Sequence, residues 1–473
     1  MRDFKFPCHL VYLIHLVYLC YNRACMFERY NHVHFVGIGG IGMSALAKWF
    51  LHEGVKVSGS DIQASQMTQD LEERGAKVYV GHKSDQVHHG VDLLIYTPAA
   101  PESNVEREAA RDQGIRELSN FEFLGEVSRE FSTIVVSGTN GKSTTTAMLG
   151  LILEAAGYDP TVLVGSLVPS FKDGNLRIGK GRFFVVEGCE YRANMLHLDP
   201  EMIVLTNIEE DHLDYYRDID HIQATFQTFV DKLKSKGLVV LNADDPVSMK
   251  LTAERSVHYG SQKTNATYVL EGRETKPGEQ IVSTNHGELL LKIPGVFNAM
   301  NALSATAAAM ELGVPFETCR RTLADFTGIW RRFERVGVYK GAEVISDYGH
   351  HPTAVKQTIQ AAREFFPGRR VVLCYQPHQH DRTKKLFNEF VEVLPLADLT
   401  IVAEIYDVAG RNEEHDISSR NLVETVNKSH GTHLTYASDL SNAESQLRER
   451  VQPNDVLLIM GAGDIDAVAR HLV

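Results

Sequence analysis

Cysteine is scarce in this chain of 473 residues, with six in all, at positions 8, 20, 25, 189, 319 and 374. Their scatter gives neither paired metal-ligand spacings nor a disulfide framework. That excludes a small stapled secreted fold and leaves a reducing cytoplasm as the expected compartment. Positive charge is also in short supply: Lys and Arg number 48 against 61 Asp and Glu, a formal net charge of −13. So acidic a surface excludes wholesale binding to nucleic acid or to an anionic membrane, though it allows a local basic pocket for a phosphate-bearing ligand. Long apolar runs are missing too. The run at 10–19 is broken by His15 and is too short to span a bilayer, so no stable membrane insertion is expected. Arg2 and Lys5 precede it as in a signal peptide, yet Tyr21, Asn22 and Arg23 follow where a small-residue cleavage site belongs. Residues 1–25 read as an N-terminal extension. A start site assigned upstream of Met26 is the favoured explanation and a membrane-contacting leader the alternative. There is no long linker, low-complexity tract or short tandem repeat.

What is present is enough apolar material for several cores: hydrophobic residues make up 43% and charged residues 23%. Short apolar strands are predicted at 32–36, 55–58, 93–96, 133–137, 183–187 and 202–206. Helical stretches separate many of them, beginning with 43–52 and 144–156. Strands alternating with helices predict parallel α/β layers. Residues 260–295 read as short strands with turns, and 298–312 as an alanine-rich helix. The alternation resumes with strands at 344–347, 371–375, 399–403 and 456–460. The expected class is α/β in three domains: a Rossmann-like domain at 26–130, a central P-loop ATPase-type domain at 131–326, and a second Rossmann-like domain at 327–473.

Two glycine loops carry the strongest chemical signals. Gly138-Thr139-Asn140-Gly141-Lys142-Ser143 stands between a strand and a helix that continues through Thr144. Glycines there let backbone N–H groups approach phosphate oxygens, and the helix N-terminus favours negative charge. Lys142 can reach the β and γ phosphates, and the Ser143 hydroxyl can sit on magnesium. The longer P-loop pattern wants glycine at position 136, where this chain has valine, so the match is to the shorter form. The other loop, Gly37-x-Gly39-Gly40-x-Gly42 with Met43 behind it and Asp61 downstream, is a dinucleotide fingerprint. Physically it says only that the turn welcomes a diphosphate, whether of NAD or of a UDP-sugar. Asp61 reads as a contact to a ribose or uracil edge, or as the cap of a turn.

These motifs, taken with others, resemble the Mur ligases. The resemblance rests on His34-Phe-Val-Gly-Ile-Gly-Gly-Ile-Gly-Met43, Thr206-Asn-Ile-Glu-Glu-Asp-His212-Leu-Asp, Arg331-Arg-Phe333, Asp347-Tyr-Gly-His-His-Pro352 and Gln376-Pro-His378 with Arg382-Thr383. It spans nearly everything from residue 32 onward and points to the alanine-adding branch. It implies ATP and Mg2+ as cofactors, with UDP-N-acetylmuramic acid and L-alanine as substrates joined through an acyl phosphate. Lys142, Glu187 and His212 become the expected catalytic residues. Ser143, Glu187 and His212 become the metal residues, with Glu190 as second candidate. Asn298, Asn301, Arg332 and Asp347 are expected to serve the nucleotide, although both asparagines also read as helix caps. His350, His351, His378 and Arg382 are expected to form the amino-acid pocket, since an arginine fork suits a carboxylate. Their spacing fits no zinc pattern.

Three departures from the alanine-adding pattern stand out. Asn140 replaces a histidine, Gly188-Cys189-Glu190 replaces Ala-Asp-Glu, and Gln379 replaces an arginine. The alternatives are a murein-peptide ligase taking a tripeptide, an NAD-dependent oxidoreductase using the first loop, and a binding homologue without turnover.

Overall fold

The computed structural model describes residues 26–212, 214–261, 265–407 and 416–473. The expected N-terminal extension, residues 1–25, lies outside the described residues. Among them, no helix is long and apolar enough to cross a membrane. The chain divides into two compact units. One runs up to Val269 and adds Asn301–Thr322; the other comprises Leu270–Met300 and Leu323–Val473.

In the first unit, β1 (His32–Val36), β2 (Lys56–Asp61), β3 (Lys77–Val80), β4 (Leu93–Tyr96) and β5 (Arg116–Ser119) form a parallel sheet in the order β3-β2-β1-β4-β5. All five residues of β1 are buried, which is how a central parallel strand covered on both faces reads in sequence. The order reverses between β1 and β4, so the glycine loop after β1 lies at the switch point where such sheets open a crevice.

The second sheet of this unit contains β6 (Ser132–Ser137), β7 (Thr161–Leu163), β8 (Leu176–Arg177), β9 (Phe183–Gly188), β10 (Met202–Leu205), β11 (Leu238–Asn242) and β12 (Ser256–Gly260). Their order is β12-β11-β10-β6-β9-β7-β8, parallel except for β8. One apolar cluster joins the two sheets. Trp49, on the helix Ile41–His52, lies 5.7 Å from the ring of Phe184 on β9 and 6.1 Å from that of Phe131. Its ring centroid is 5.2 Å from Phe27. Truncating so buried a tryptophan costs about 3–5 kcal/mol, so this joint is a major part of the unit's core.

In the second unit, β13 (Tyr268–Lys276), β14 (Glu279–Thr284) and β15 (Gly287–Leu291) pair antiparallel. A doubly wound sheet follows: β16 (Glu334–Tyr339), β17 (Ala342–Asp347), β18 (Val371–Tyr375), β19 (Leu399–Ala403), β20 (Thr435–Ala437) and β21 (Val456–Met460). The order is β16-β17-β21-β18-β19-β20, with only β16 antiparallel to its neighbour. Apolar clusters cover both faces. Fold class follows the sequence reading and the strands it named are present, while β3, β5, β7, β11 and β20 are among those it did not name. The alanine-rich helix starts two residues earlier than expected, at Val296, so neither Asn298 nor Asn301 is its N-cap.

Candidate active site

The loop at 138–143 is shaped by what stands against it. Gly138 and Gly141 have φ of 129° and 84°, where a side chain is strained. A Cβ at Gly138 would strike the Thr206 hydroxyl, and one at Gly141 the Asn301 carboxamide. The segment after β10 stitches the loop in place. Thr139 N–H donates to the Asn207 carbonyl at 2.8 Å, Asn140 N–H to Asn207 Oδ1 at 2.9 Å, and the Thr206 hydroxyl to the Asn140 carbonyl at 2.5 Å. Lys142 opens the helix Lys142–Ala155, and Thr144 is buried in its first turn.

Lys142 Nζ donates to the carbonyls of Gly138 at 2.6 Å and Thr139 at 3.0 Å, and pairs with Glu190 at 2.8 Å. Burial works against its charge, but Glu190, with Glu187 near, outweighs burial and holds the ammonium above the ordinary lysine range. Burial likewise opposes the Glu190 carboxylate, and Lys142 and His212 together hold it below the ordinary range. The pair is therefore ionised on both sides. Cys189 is the contrary case. Burial, then the Glu190 charge, push its thiol up to about 12, so it stays neutral.

Glu187 stands at the end of β9, one residue before its last. Its Oε2 accepts the Ser143 hydroxyl at 3.0 Å, and its Oε1 accepts the Gly165 N–H. His212 stands with Glu190, its Nε2 3.4 Å from Oε1, and its buried Nδ1 has no hydrogen-bond partner. The backbone strains to make this arrangement: His212, Arg192 and Ala193 have φ of 53°, 51° and 56°. Left-handed non-glycine residues cost about 1 kcal/mol or more each and persist where surroundings fix them. The sequence ranked Glu190 second to Glu187, whereas the structure makes it the residue that Lys142 and His212 share. No periodicity could have revealed this, because Glu190 lies in an irregular turn. Ser143 and Glu187 offer two oxygens side by side, the donor type magnesium takes. Among the described residues no group of three or more His, Cys, Asp or Glu forms a cage, and an ion that keeps waters and phosphate oxygens needs none.

The first loop is built differently. Gly37 has φ of 81°, and a Cβ there would strike the Thr97 methyl. Gly37 and Ile38 donate to the Ser60 carbonyl at 2.8 and 3.0 Å, and Gly39 N–H donates to Asp61 Oδ2 at 2.8 Å. Asp61 thus caps the turn, the second of its two readings. Gly40 caps the following helix without any side-chain hydrogen bond, so its first-turn N–H groups face the crevice. Gly42 and the buried Met43 lie in that first turn.

In the second unit, Asp347 ends β17, buried, accepting the N–H of Phe333 at 2.8 Å and of Gly349 at 2.7 Å. Burial pushes its carboxyl up. Arg332 lies between Arg331 and Phe333, with φ of 54° and 49°, and its guanidinium sits 4.8 Å from the Tyr348 ring centroid. The structure brings His350, His378 and Arg382 together: the histidine rings are 5.9 Å apart, and Arg382 Nη1 is 3.3 Å from His378 Nδ1. His351 stands at the start of the next helix. It caps the helix Pro352–Phe365, accepting from Thr353 N–H at 3.3 Å. Beside this group Tyr406 stacks on His378, and a cavity of 510 Å³ is lined by Gln376, Glu404, Tyr406, Asp407, Asp439 and Asp464. Asn298 donates to the Pro294 carbonyl at 2.7 Å.

Three family models match in chain order: the Mur ligase family catalytic domain at residues 32–132, the Mur ligase middle domain at 136–309, and the Mur ligase glutamate ligase domain at 331–463. The UDP-N-acetylmuramate–L-alanine ligase of Desulforamulus reducens is 38% identical over 455 residues, covering 93% of this chain and 97% of that protein. The chain belongs to the Mur ligase family. Like other Mur ligases it is an ATP-dependent ligase, which removes the oxidoreductase alternative. The same-named protein of Geobacter sp. is also 38% identical, over 95% of this chain and 98% of its own. Among solved structures, the UDP-N-acetylmuramate-alanine ligase of Thermotoga maritima superposes with a TM-score of 0.82 at 31% identity, covering 93% of this chain and 98% of its own. The murein peptide ligase of Psychrobacter arcticus covers the same shares with a TM-score of 0.71 at 25% identity, so the likeness leans to the alanine ligases.

Proposed function

We propose that this Mur ligase joins L-alanine to the lactyl carboxylate of UDP-N-acetylmuramic acid, a cytoplasmic step in making peptidoglycan precursors. The carboxylate oxygen bonds to the γ phosphorus of ATP as the bond to the bridging oxygen breaks, releasing ADP. The alanine amine then attacks the acyl phosphate carbon, losing a proton as phosphate leaves. The observation that carries this reading is the Lys142–Glu190–His212 group, centred on the buried Glu190 and set against a glycine loop, in a chain like alanine ligases over nearly its whole length.

Each residue has a part. Lys142 remains cationic and fixed, and so offsets charge that develops on the transferred phosphoryl group. Glu190 keeps it charged and in place. His212, held at Nε2, presents Nδ1 to the reacting carboxylate. Ser143 and Glu187 would hold Mg2+, which when bound neutralises phosphate charge. Gly138, Thr139, Asn140, Gly141 and Thr144 cradle the phosphates, with Asn298, Asn301, Arg332 and Asp347 serving the rest of the nucleotide. Gly37, Gly39, Gly40, Gly42 and Met43 receive the UDP diphosphate, with Asp61 shaping their turn. His350, His351, His378 and Arg382 take the amino acid, and His351 also caps the helix Pro352–Phe365. In this reading residues 26–130, 131–326 and 327–473 serve UDP, ATP and amino acid in turn.

The test is phosphate release with magnesium, ATP and UDP-N-acetylmuramic acid across a panel of amino acids, with mass spectrometry of the product. Release that requires both substrates, with a product one alanine heavier, is expected. A preference for a tripeptide, or tight substrate binding without any release, would overturn it.

A further inference from the structure

The reacting carboxylate is carried on a molecule whose diphosphate end binds elsewhere. On the reading above, that end lies in the loop at 37–42 while the γ phosphate lies at 138–143. The substrate then acts as a ruler, and the spacing between the two loops must match it. The structure contains a buried polar connection between them. Asn175 is fully buried at the end of the excursion 164–175, which links β7 to β8. Its Nδ2 donates to the Ile41 carbonyl at 2.6 Å and to the Ser44 hydroxyl at 3.1 Å, in the first turn of the helix behind the first glycine loop. Its Oδ1 accepts Lys48 Nζ at 3.3 Å. Lys48, on the same helix and almost wholly buried, also donates to the Asp173 carbonyl at 3.0 Å and pairs with Asp70 at 2.9 Å. Arg74 reaches Asp173 as well, at 2.5 Å.

The same excursion is anchored at its start to the other site. Val164 N–H donates to the Asn175 carbonyl at 3.0 Å, and the next residue, Gly165, donates its N–H to Glu187. Glu187 in turn receives the Ser143 hydroxyl. A Cβ at Gly165 would come within 3.1 Å of both Glu187 oxygens, so the backbone there lies directly on the carboxylate. Hydrogen bonds, joined through the backbone of Asn175 and the Val164–Gly165 peptide link, thus run from the first turn behind one glycine loop to the carboxylate beside the other.

We infer that Asn175 and Lys48 are positioning residues, which set the spacing between the diphosphate loop and the phosphoryl-transfer site. An asparagine suits the task because it satisfies a carbonyl, a hydroxyl and an ammonium at once in a place closed to water. Removing it loosens the spacing without touching either set of ligand contacts.

The experiment compares whole substrate with its fragments. For Asn175→Ala and Lys48→Met, kcat with UDP-N-acetylmuramic acid is measured beside the affinities for UDP alone and for a non-hydrolysable ATP analogue. An error of an ångström in placement costs about 10²-fold, so kcat should fall by about that much while both fragment affinities stay within about threefold. Lys48→Arg, which keeps a cation donor, should recover most of the rate. An unchanged kcat in both variants would overturn the inference. So would parallel loss of both fragment affinities, which means general damage. If the unmodified protein binds neither fragment, it is the functional reading that fails.

Discussion

Residues 37–42 and 138–143 each lie between a buried parallel strand and a helix, and each begins with a glycine of positive φ, 81° at Gly37 and 129° at Gly138. From there they diverge. The first is closed by its own neighbours, the Ser60 carbonyl and the Asp61 carboxylate, and holds no cationic side chain. The second contains Lys142, pinned by Glu190, and sets Ser143 against Glu187. Backbone N–H groups suffice to grip a group that passes through the reaction unchanged. A phosphoryl group in transfer develops charge, and that calls for a cation already in position.

If this contrast is right, the largest effect belongs to the second loop. Lys142→Ala should lower phosphate release by about 10³-fold or more. It should also destabilise the fold by about 3–5 kcal/mol, since Glu190 is left buried without its cation. Adding Glu190→Gln should restore much of the melting temperature and none of the activity. A double variant that recovers turnover would break the comparison. The pair itself should persist across the neutral range. Glu190's contribution is lost only as pH falls through its lowered folded value, and Lys142's only as pH rises through its raised one.

Next in size is Glu187→Gln, which keeps the shape beside Ser143 and removes a charge. The expected fall in kcat is about 10²-fold, with more magnesium needed for half-maximal rate. A magnesium requirement that does not move would detach Glu187 from the ion. In the first loop, Asp61→Ala should raise KM for the UDP substrate about tenfold with kcat little changed, the worth of one charge-assisted hydrogen bond. A loss confined to kcat would mean that this loop too takes part in the chemistry.

The smallest effect lies behind the first loop. Burial, then Lys56 and His34, lower the pKa of His32 on β1 to about 4. Its neutral form is the one the fold accepts, so its contribution is complete above about 6.5, the ordinary histidine value, and is lost as pH falls toward 4. Melting temperatures between pH 7 and 4.5 should fall less steeply in His32→Gln than in the parent.

Strands and loops were legible because they depend on local rules. Buried parallel strands read as apolar runs, and glycine spacing announces a phosphate turn whatever surrounds it. Lys142, Ser143 and Glu187 could be named for the same reason, as each sits at a strand or helix end. Asn175 could not be named at all, Asn207 only as part of a motif, and Glu190 only as a second metal candidate rather than as the partner of Lys142 and His212. Each acts through a partner far along the chain, in irregular backbone where no period operates. Cys189 shows a different limit. The sequence marks a missing charge, but only the surroundings show that the thiol there is neutral and that the charge balance beside Lys142 is carried by its neighbour. His351 shows another, since nothing in the sequence marks it as the residue that caps the helix Pro352–Phe365.

Trp49 has a practical consequence. The chain holds two tryptophans, and one falls in each compact unit. Trp49 is enclosed by Phe27, Phe131 and Phe184, where the two sheets of the first unit meet. Trp330 is half-buried beside the Arg331 guanidinium. In a Trp330→Phe protein all indole emission comes from that aromatic seam. Its colour and its shielding from a dissolved quencher then report, in real time and without any attached dye, whether the seam is shut.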